Sequence, residues 1–192
     1  EKLEEAGVAV IAGEARFVGP RILTVGDRRL RAGRVVLCTG ARPSAPQVPG
    51  LRDVPYVTYE QVFDAEQRPA HLVVLGGGPV GLEIAQAYRR LGAAVTVCAT
   101  EVLPREDDDA RVVVERVLAG EGVRFVRGAV TGARTQGATV CLTTAQGEVR
   151  GDRLLVAAGR APNVEGLALE RGGVAYSAAG IEVDARLRTT AK

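Results

Sequence analysis

The 192-residue chain contains neither methionine nor tryptophan, and aromatic residues make up only 4% of it. Without a methionine it has no initiator residue, so we expect it to be part of a longer protein. Its 25 basic and 23 acidic residues nearly balance, and no basic tract stands out, so nucleic-acid binding is not expected. No apolar run is long enough to cross a bilayer and no signal-peptide pattern is present, so no membrane association is expected.

Cysteine and histidine are also scarce. Cys38, Cys98 and Cys141 lie in separate apolar runs, and no Cys-x-x-Cys pair is present. An odd number of scattered thiols argues against a disulfide framework and indicates a reducing, cytoplasmic compartment. We expect all three thiols to be buried as small apolar side chains. The single histidine, His71, has no acidic or thiol neighbour along the sequence, so we expect it to be structural or exposed.

The most informative stretch is a short apolar run at residues 72–75, followed at once by glycines and then by a helical pattern. A strand, G-x-G-x-x-G and a helix in this order predict a βαβ unit that binds a dinucleotide. Gly76 permits the tight turn, Gly78 lets the backbone approach a pyrophosphate, and Gly81 lets the helix pack close to the strand. Pro79 suits the first helical turn, whose free amides face the phosphates. The alternative is a tight turn that binds nothing.

The remaining apolar runs predict an α/β fold, a Rossmann-like three-layer domain with a central parallel sheet and an antiparallel β-meander. Parallel strands are expected at residues 72–75, 94–99, 123–126 and 154–158, with the meander between residues 129 and 150. The acidic residues 107–109 open the second helix, and we attribute them to the helix dipole rather than to a metal site. No metal site is expected.

A proline-rich stretch marks the first domain boundary. Residues 41–57 carry four prolines, which predicts an extended, semi-rigid connection. Before it, β-rich runs from residue 8 onward lead into a predicted buried strand at residues 34–38, which ends in a small-residue turn. The later meander leads in the same way into a buried strand and a glycine turn at residue 159. This repeated order suggests two related nucleotide-binding units, of which only the second is complete.

Three segments carry a family resemblance: residues 39–41, 76–83 and 159–163. In this order and spacing they resemble the pyridine-nucleotide–disulfide oxidoreductases, and residues 95–107 are closest to the mercuric reductase and dihydrolipoamide dehydrogenase branch. The resemblance implies the NAD(P)H-binding portion of an FAD-dependent enzyme, which positions the nicotinamide for hydride transfer to FAD. It divides the chain into a partial FAD-domain meander (1–43), a linker with a short helix (44–68), an NAD(P)H-binding domain (69–160) and a return segment to the FAD domain (161–192).

The resemblance also assigns residues that contact the two coenzymes. Thr39, Gly40 and Ala41 match a flavin-contacting turn, and Glu83 matches an acid that lies near the nicotinamide. The pyridine-nucleotide site as a whole comprises Gly76, Gly77, Gly78, Pro79, Val80, Gly81, Glu83, Ala99, Thr100, Arg105, Gly159 and Arg160.

Coenzyme preference turns on the end of the second parallel strand. NAD-preferring sites place a carboxylate there, and NADP-preferring sites supply arginine for the extra phosphate. Ala99 occupies this position, with Glu101 two residues on. Thr100 stands where mercuric reductases often have arginine, and Arg105 lies nearby. The sequence therefore leans slightly away from strict NAD use, and both coenzymes stay open.

The chain also departs from the family pattern. It lacks the N-terminal FAD fingerprint, the redox-active cysteine pair, the later Gly-Asp flavin segment and the dimerisation domain with its catalytic His-Glu pair, and Pro79 replaces an aromatic gate found in several members. We therefore expect no catalytic residue here, no retained FAD and no activity from this chain alone. Its partners would be the dinucleotide and the rest of the FAD and dimerisation domains of a homodimeric parent.

Two other functions stay open on the same residues. One is a stand-alone nucleotide-binding or sensing module without redox chemistry. The other is a fragment of a ferredoxin reductase or nitrite reductase type of flavoprotein, which uses two dinucleotides without a redox disulfide.

Overall fold

A computed structural model of the chain describes residues 2–64 and 66–191. The helices are α1 Lys2–Glu5, α2 Pro79–Arg90 and α3 Asp108–Gly120, with 3-10 turns at Leu51–Asp53, Val62–Asp64 and Leu169–Gly172. The strands are β1 Ala15–Gly19, β2 Ile22–Val25, β3 Arg28–Arg31, β4 Ala41–Pro43, β5 His71–Leu75, β6 Ala94–Ala99, β7 Val123–Arg127, β8 Val130–Gln136, β9 Thr139–Thr144, β10 Gly147–Gly151, β11 Arg153–Val156, β12 Arg160–Pro162, β13 Tyr176–Ser177 and β14 Gly180–Ile181.

The chain forms two compact units. One, the central unit, is Pro43–Arg160, and the other, the flanking unit, joins the described residues of Glu1–Arg42 and Ala161–Lys192. Within residues 2–64 and 66–191, none of the helices is both long enough and apolar enough to cross a bilayer.

The central unit is built on a parallel sheet with the strand order β11-β5-β6-β7. Strands β5, β6 and β11 are mainly apolar and buried, which suits strands covered on both faces, whereas the edge strand β7 alternates with exposed arginines. Leu72 and Val74 pack with α2 and α3 on one face, whereas Val73 and Leu75 pack with the antiparallel meander β8–β10 on the other. The result is three layers, helices, parallel sheet and meander, so the predicted fold class is confirmed.

The helix α2 is fixed at its carboxyl end by side chains. Arg89 Nε donates to the Glu121 carbonyl oxygen at 2.9 Å, and the Arg90 guanidinium donates to both carboxylate oxygens of Glu121 at 2.7 and 2.9 Å. Arginines in the last turn also interact favourably with the helix dipole. These bonds join the end of α2 to the end of α3.

His71 has an acidic neighbour that lies 81 residues away in sequence. The Asp152 carboxylate accepts hydrogen bonds from the backbone amides of His71 and Ala70, both at 2.8 Å, and the His71 ring Nε2 lies 2.9 Å from Thr96 Oγ1. Burial lowers the pKa of the His71 imidazole. Burial of Asp152 opposes its ionisation, but the hydrogen bonds from the backbone amides outweigh this effect and lower the pKa of that carboxyl. His71 is therefore structural, as one of the two expectations had it.

The expectation for the thiols is right at two positions and wrong at the third. Cys98 and Cys141 are fully buried, whereas Cys38 is exposed. Burial raises the pKa of the Cys98 thiol from 9.0 to about 11.

The raised pKa of Cys98 predicts that the protein loses stability as the pH becomes alkaline. Above pH 9 the unfolded thiol ionises while the native thiol keeps its proton up to about pH 11, so the native state binds more protons and stability falls as pH rises. The loss reaches about 2 to 3 kcal/mol. Cys98→Ala carries a cavity cost that does not depend on pH, so urea denaturation should show its deficit against wild type shrinking between pH 8 and pH 11. A constant deficit would contradict the assigned titration.

The buried strand predicted at residues 34–38 does not form. Val35 and Leu37 contact the apolar cluster around Phe17, but Val36 is 84% exposed. No strand of the described residues pairs with this segment, so its backbone forms no ladder and its outer face has no cover. The β-rich run predicted from residue 8 is likewise a strand only at Ala15–Gly19, where β2 pairs with it.

The flanking unit has its own small core. Phe17 packs with Val164, Leu169 and Val174, and its amide donates to the Leu167 carbonyl at 2.8 Å. This joins the segment before the central unit to the segment that follows it in sequence.

Candidate functional site

The glycine turn after β5 admits no side chain at its first position. Gly76 has a φ of +125°, and its amide donates to the Cys98 carbonyl at 2.9 Å. A Cβ at Gly76 would lie 2.4 Å from the Ala157 carbonyl oxygen, at the end of the neighbouring strand β11. This is the tight turn that the sequence predicts.

Two further glycines are required by close packing. A Cβ at Gly81 would lie 2.6 Å from the Gly76 carbonyl oxygen, so α2 begins against the end of β5 as expected. At Gly77 the added Cβ would lie 2.2 Å from the Glu101 carbonyl oxygen. Gly77 therefore gives room to the loop between β6 and α3, a role that the sequence alone does not indicate.

Gly78 differs from the other glycines of the turn. It is the N-cap of α2 with φ −77° and ψ 172°, and a Cβ placed on it would meet nothing within 4 Å. The first hydrogen bond of the helix runs from the Leu82 amide to the Gly78 carbonyl. In the part of the chain that the structure describes, the amides of Gly78, Val80 and Gly81 have no acceptor.

Free amides at a helix start, with the positive end of the helix dipole behind them, form a site for an anion. Pro79, the first residue of the helix, has no backbone N–H that would need a partner there. Val80 is 36% exposed. The open space at Gly78 leaves room for a phosphate to approach the backbone. The turn therefore fits the diphosphate of a dinucleotide.

The loop between β6 and α3 borders this turn. The Leu103 amide donates to the Gly77 carbonyl at 2.8 Å, and Leu103 adopts the left-handed φ of +49° while remaining 8% exposed. Thr100 and Arg105 are exposed, and within the described ranges neither side chain has a hydrogen-bond or ion-pair partner. Ala99 is the last residue of β6 and pairs with Arg127 of β7. Because this last residue is alanine, the strand end carries no carboxylate.

Sequence reasoning missed Arg111, which contacts the same loop. Its Nε donates to the Val102 carbonyl at 3.0 Å, and its Nη1 donates to Asp108 Oδ1 at 2.9 Å. The bond to Val102 links a side chain to a backbone carbonyl nine residues earlier, and no residue-type pattern marks such a bond.

Glu83 is exposed on α2, one turn after Pro79. With Pro79, Leu82 and Gln86 it lines one wall of a mainly apolar groove of about 310 Å³, whose other wall is α3. The amides of the glycine turn do not line this groove, so its chemistry does not match a diphosphate.

The turn after β11 closes the same edge of the parallel sheet. The Gly159 carbonyl accepts a hydrogen bond from the Ser44 amide at 3.0 Å, and both Gly159 and Arg160 are exposed. The acidic residues 107–109 lie at the start of α3, and the described residues contain no group of three or more side chains able to hold a metal ion.

In the flanking unit, the turn at Thr39 and Gly40 is held by Asn163. The backbone N–H of Asn163 donates to the Gly40 carbonyl at 3.0 Å, and the side-chain Nδ2 of Asn163 donates to the Thr39 carbonyl at 3.0 Å. In return, Thr39 Oγ1 donates to the backbone carbonyl of Asn163 at 2.9 Å. Ala41 follows at the start of β4. Both carbonyls of this turn are thus directed toward Asn163.

Arg42 extends the same network. Its guanidinium donates to Asn163 Oδ1 at 3.1 Å and to both carboxylate oxygens of Glu165 at 3.0 Å. The hydrogen bonds and charge of Arg42 lower the pKa of Glu165 to about 2. The pair therefore stays ionised over the whole neutral range.

The three layers and the glycine turn define an α/β protein of the Rossmann-like class. The sequence matches the pyridine nucleotide-disulphide oxidoreductase family over residues 2–192, and the chain belongs to that family. The resemblance read from the three motifs is confirmed.

The chain is similar in sequence to reductases and dehydrogenases of this family. The chain is 39% identical to a mercuric reductase of Acidithiobacillus ferrooxidans, covering 95% of this chain and 35% of the relative. It is 37% identical to a dihydrolipoyl dehydrogenase of Thermus scotoductus, covering 96% of this chain and 42% of the relative. The chain thus spans less than half the length of these relatives.

Solved structures agree with the fold. The Cu(II) complex of the HOCl-induced flavoprotein disulfide reductase RclA from Escherichia coli matches with a TM-score of 0.86 at 30% identity, over 96% of this chain and 44% of that one. LpdA from Mycobacterium tuberculosis matches with a TM-score of 0.83 at 34% identity, over 99% of this chain and 45% of that one.

Proposed function

We propose that the central unit binds NADH or NADPH with the coenzyme diphosphate at the start of α2. The observation that carries this proposal is the contrast within the glycine turn. Gly76, Gly77 and Gly81 have backbone where a Cβ would stand, whereas Gly78 faces open space beside free amides. Packing explains the first three glycines, and close approach of a ligand explains the fourth.

The chain's own residues would bind and orient the coenzyme. The amides of Gly78, Val80 and Gly81 would hold the diphosphate, and the loop from Ala99 to Arg105 would border the adenosine ribose. Glu83 would lie near the nicotinamide, and the turn at Gly159 and Arg160 would lie beside the bound dinucleotide, as the family resemblance implies. Hydride chemistry belongs to the bound coenzyme, and the protein supplies its position.

We further propose that NADPH is the preferred coenzyme. Ala99 provides no carboxylate to accept hydrogen bonds from the ribose hydroxyls. Arg105 is exposed on the adjacent loop and, in the described part of the chain, holds no partner. A free guanidinium can bind the 2′-phosphate in a bidentate manner.

The whole protein would then be an FAD-dependent oxidoreductase that takes electrons from NAD(P)H. The turn Thr39, Gly40 and Ala41 in the flanking unit would contact the flavin, together with domains that the longer relatives carry. We assign no catalytic residue to this chain.

Calorimetric titration of the chain with NADPH and with NADH tests the proposal. We expect both to bind, with NADPH tighter by about tenfold, the effect of one charge-assisted contact. Arg105→Gln should remove that advantage and leave NADH binding unchanged. Failure of both coenzymes to bind would refute the site, and a purified chain that carries flavin absorbance would refute the expectation that this chain alone retains no FAD.

A further inference from the structure

The loop between β6 and α3 is fixed to the glycine turn along one side. The Leu103 amide donates to the Gly77 carbonyl at 2.8 Å, and the Glu101 carbonyl occupies the space that a Cβ at Gly77 would need. Leu103 keeps a left-handed φ of +49°, which costs energy for any residue with a side chain. Its burial and its hydrogen bond hold it there.

Arg111 fixes the other side of the same loop from α3. Its Nε donates to the carbonyl of Val102, which is 1% exposed, and Asp108 holds the opposite edge of the guanidinium. A cation this close to a helix start is disfavoured by the helix dipole. The positive charge of Arg111 is therefore unfavourable for the start of α3, whereas its hydrogen bond to Val102 stabilises the loop.

In the described part of the chain, the side chains that would contact the ribose are not held by hydrogen bonds or ion pairs. Thr100 and Arg105 are exposed and, within residues 2–64 and 66–191, neither side chain has a hydrogen-bond or ion-pair partner. Their place is set by the backbone around them. The Gly128 amide holds the Ala99 carbonyl at 3.0 Å, and Leu103 and Arg111 hold the middle of the loop, at the Gly77 and Val102 carbonyls.

We propose that Arg111 is a positioning residue for coenzyme discrimination: by holding the Val102 carbonyl, it keeps Thr100 and Arg105 at the adenosine ribose. This inference rests on the proposed function. Arg111 would not touch the coenzyme itself, so its effect should fall on the NADPH-to-NADH ratio rather than on diphosphate binding.

Two substitutions separate position from charge. Arg111→Gln removes the charge, whereas Arg111→Lys keeps it but replaces the planar fork that holds Val102 and Asp108 together. We expect calorimetry to show NADPH binding weakened about fivefold in both variants, the effect of one lost hydrogen bond, with NADH binding unchanged within about twofold. A Lys variant that behaves as wild type would overturn the proposal, because charge alone would then explain the effect.

Arg116→Gln is the matched control on the same helix. Arg116 is exposed and has no partner within the described residues, so both affinities should stay at their wild-type values. Equal weakening of both coenzymes in the Arg111 variants would indicate general loosening and would overturn the proposal. If wild-type protein binds neither coenzyme, the proposed function itself fails, and this outcome is distinct from unchanged ratios in a protein that binds.

Discussion

Replacing Gly78 by alanine should strongly weaken coenzyme binding and leave the fold intact. The backbone at Gly78, with φ −77° and ψ 172°, suits alanine, and the new methyl group would meet nothing within 4 Å. The same methyl would stand where the diphosphate must approach the amides at the start of α2. We expect both affinities to fall by at least about 30-fold, equivalent to about 2 kcal/mol. The melting temperature should change by about 1 °C or less.

Gly120→Ala provides the control for this change. Gly120 ends α3, also has open space at its Cβ position, and lies outside the proposed site. Its alanine variant should bind both coenzymes as wild type does, with a small gain in helix stability. Calorimetry and thermal unfolding measured on both variants decide the matter. Wild-type affinity in Gly78→Ala would mean that the diphosphate does not lie at this end of α2.

The central unit could be predicted from the sequence because its signals are local. Alternating apolar runs and turns define β5 to β11, and the motif fixes the order of strand, turn and helix. The packing roles predicted for Gly76 and Gly81 follow from that order, and their close backbone contacts confirm them. Such signals lie within a dozen residues of one another, so pattern alone is enough.

The loop after β6 could not be predicted in the same way. Nothing about a leucine indicates a left-handed φ, yet Leu103 adopts one because its amide reaches Gly77. Arg111 bonds a carbonyl whose residue type is irrelevant to the bond. Both contacts depend on how the loop folds over the turn, and that information is three-dimensional.

Strand formation and burial in the flanking unit were predicted less well, because both depend on neighbouring strands and layers. The run at residues 34–38 is as apolar as β5, but β5 lies between two strands and two layers. Cys38 is exposed for this reason. The Asp152 and His71 pair shows the converse, since a contact across 81 residues leaves no trace in local sequence.

Replacing Gly76 by alanine should have the largest effect on stability. The φ of +125° is a conformation that residues with a side chain rarely adopt, and the new Cβ would lie 2.4 Å from the Ala157 carbonyl oxygen. The backbone strain costs about 1 to 3 kcal/mol, and overpacking against a fixed backbone costs a similar amount. The sum, about 2 to 6 kcal/mol, is a large part of the stability of an ordinary domain. Urea denaturation followed by circular dichroism should show the free energy of unfolding lowered by this amount.

Gly147→Ala separates strain from clash. Gly147 has a comparable φ, +108°, but a Cβ there would meet nothing within 4 Å, so its alanine variant should lose only the strain, about 1 to 3 kcal/mol. The difference between the two variants measures the close approach of the turns after β5 and β11. Equal losses would show that these turns can move apart, and the tight turn would then owe its glycine to φ alone. Together with Gly78→Ala, the comparison separates the glycine that shapes the turn from the glycine at which we propose that the coenzyme diphosphate approaches.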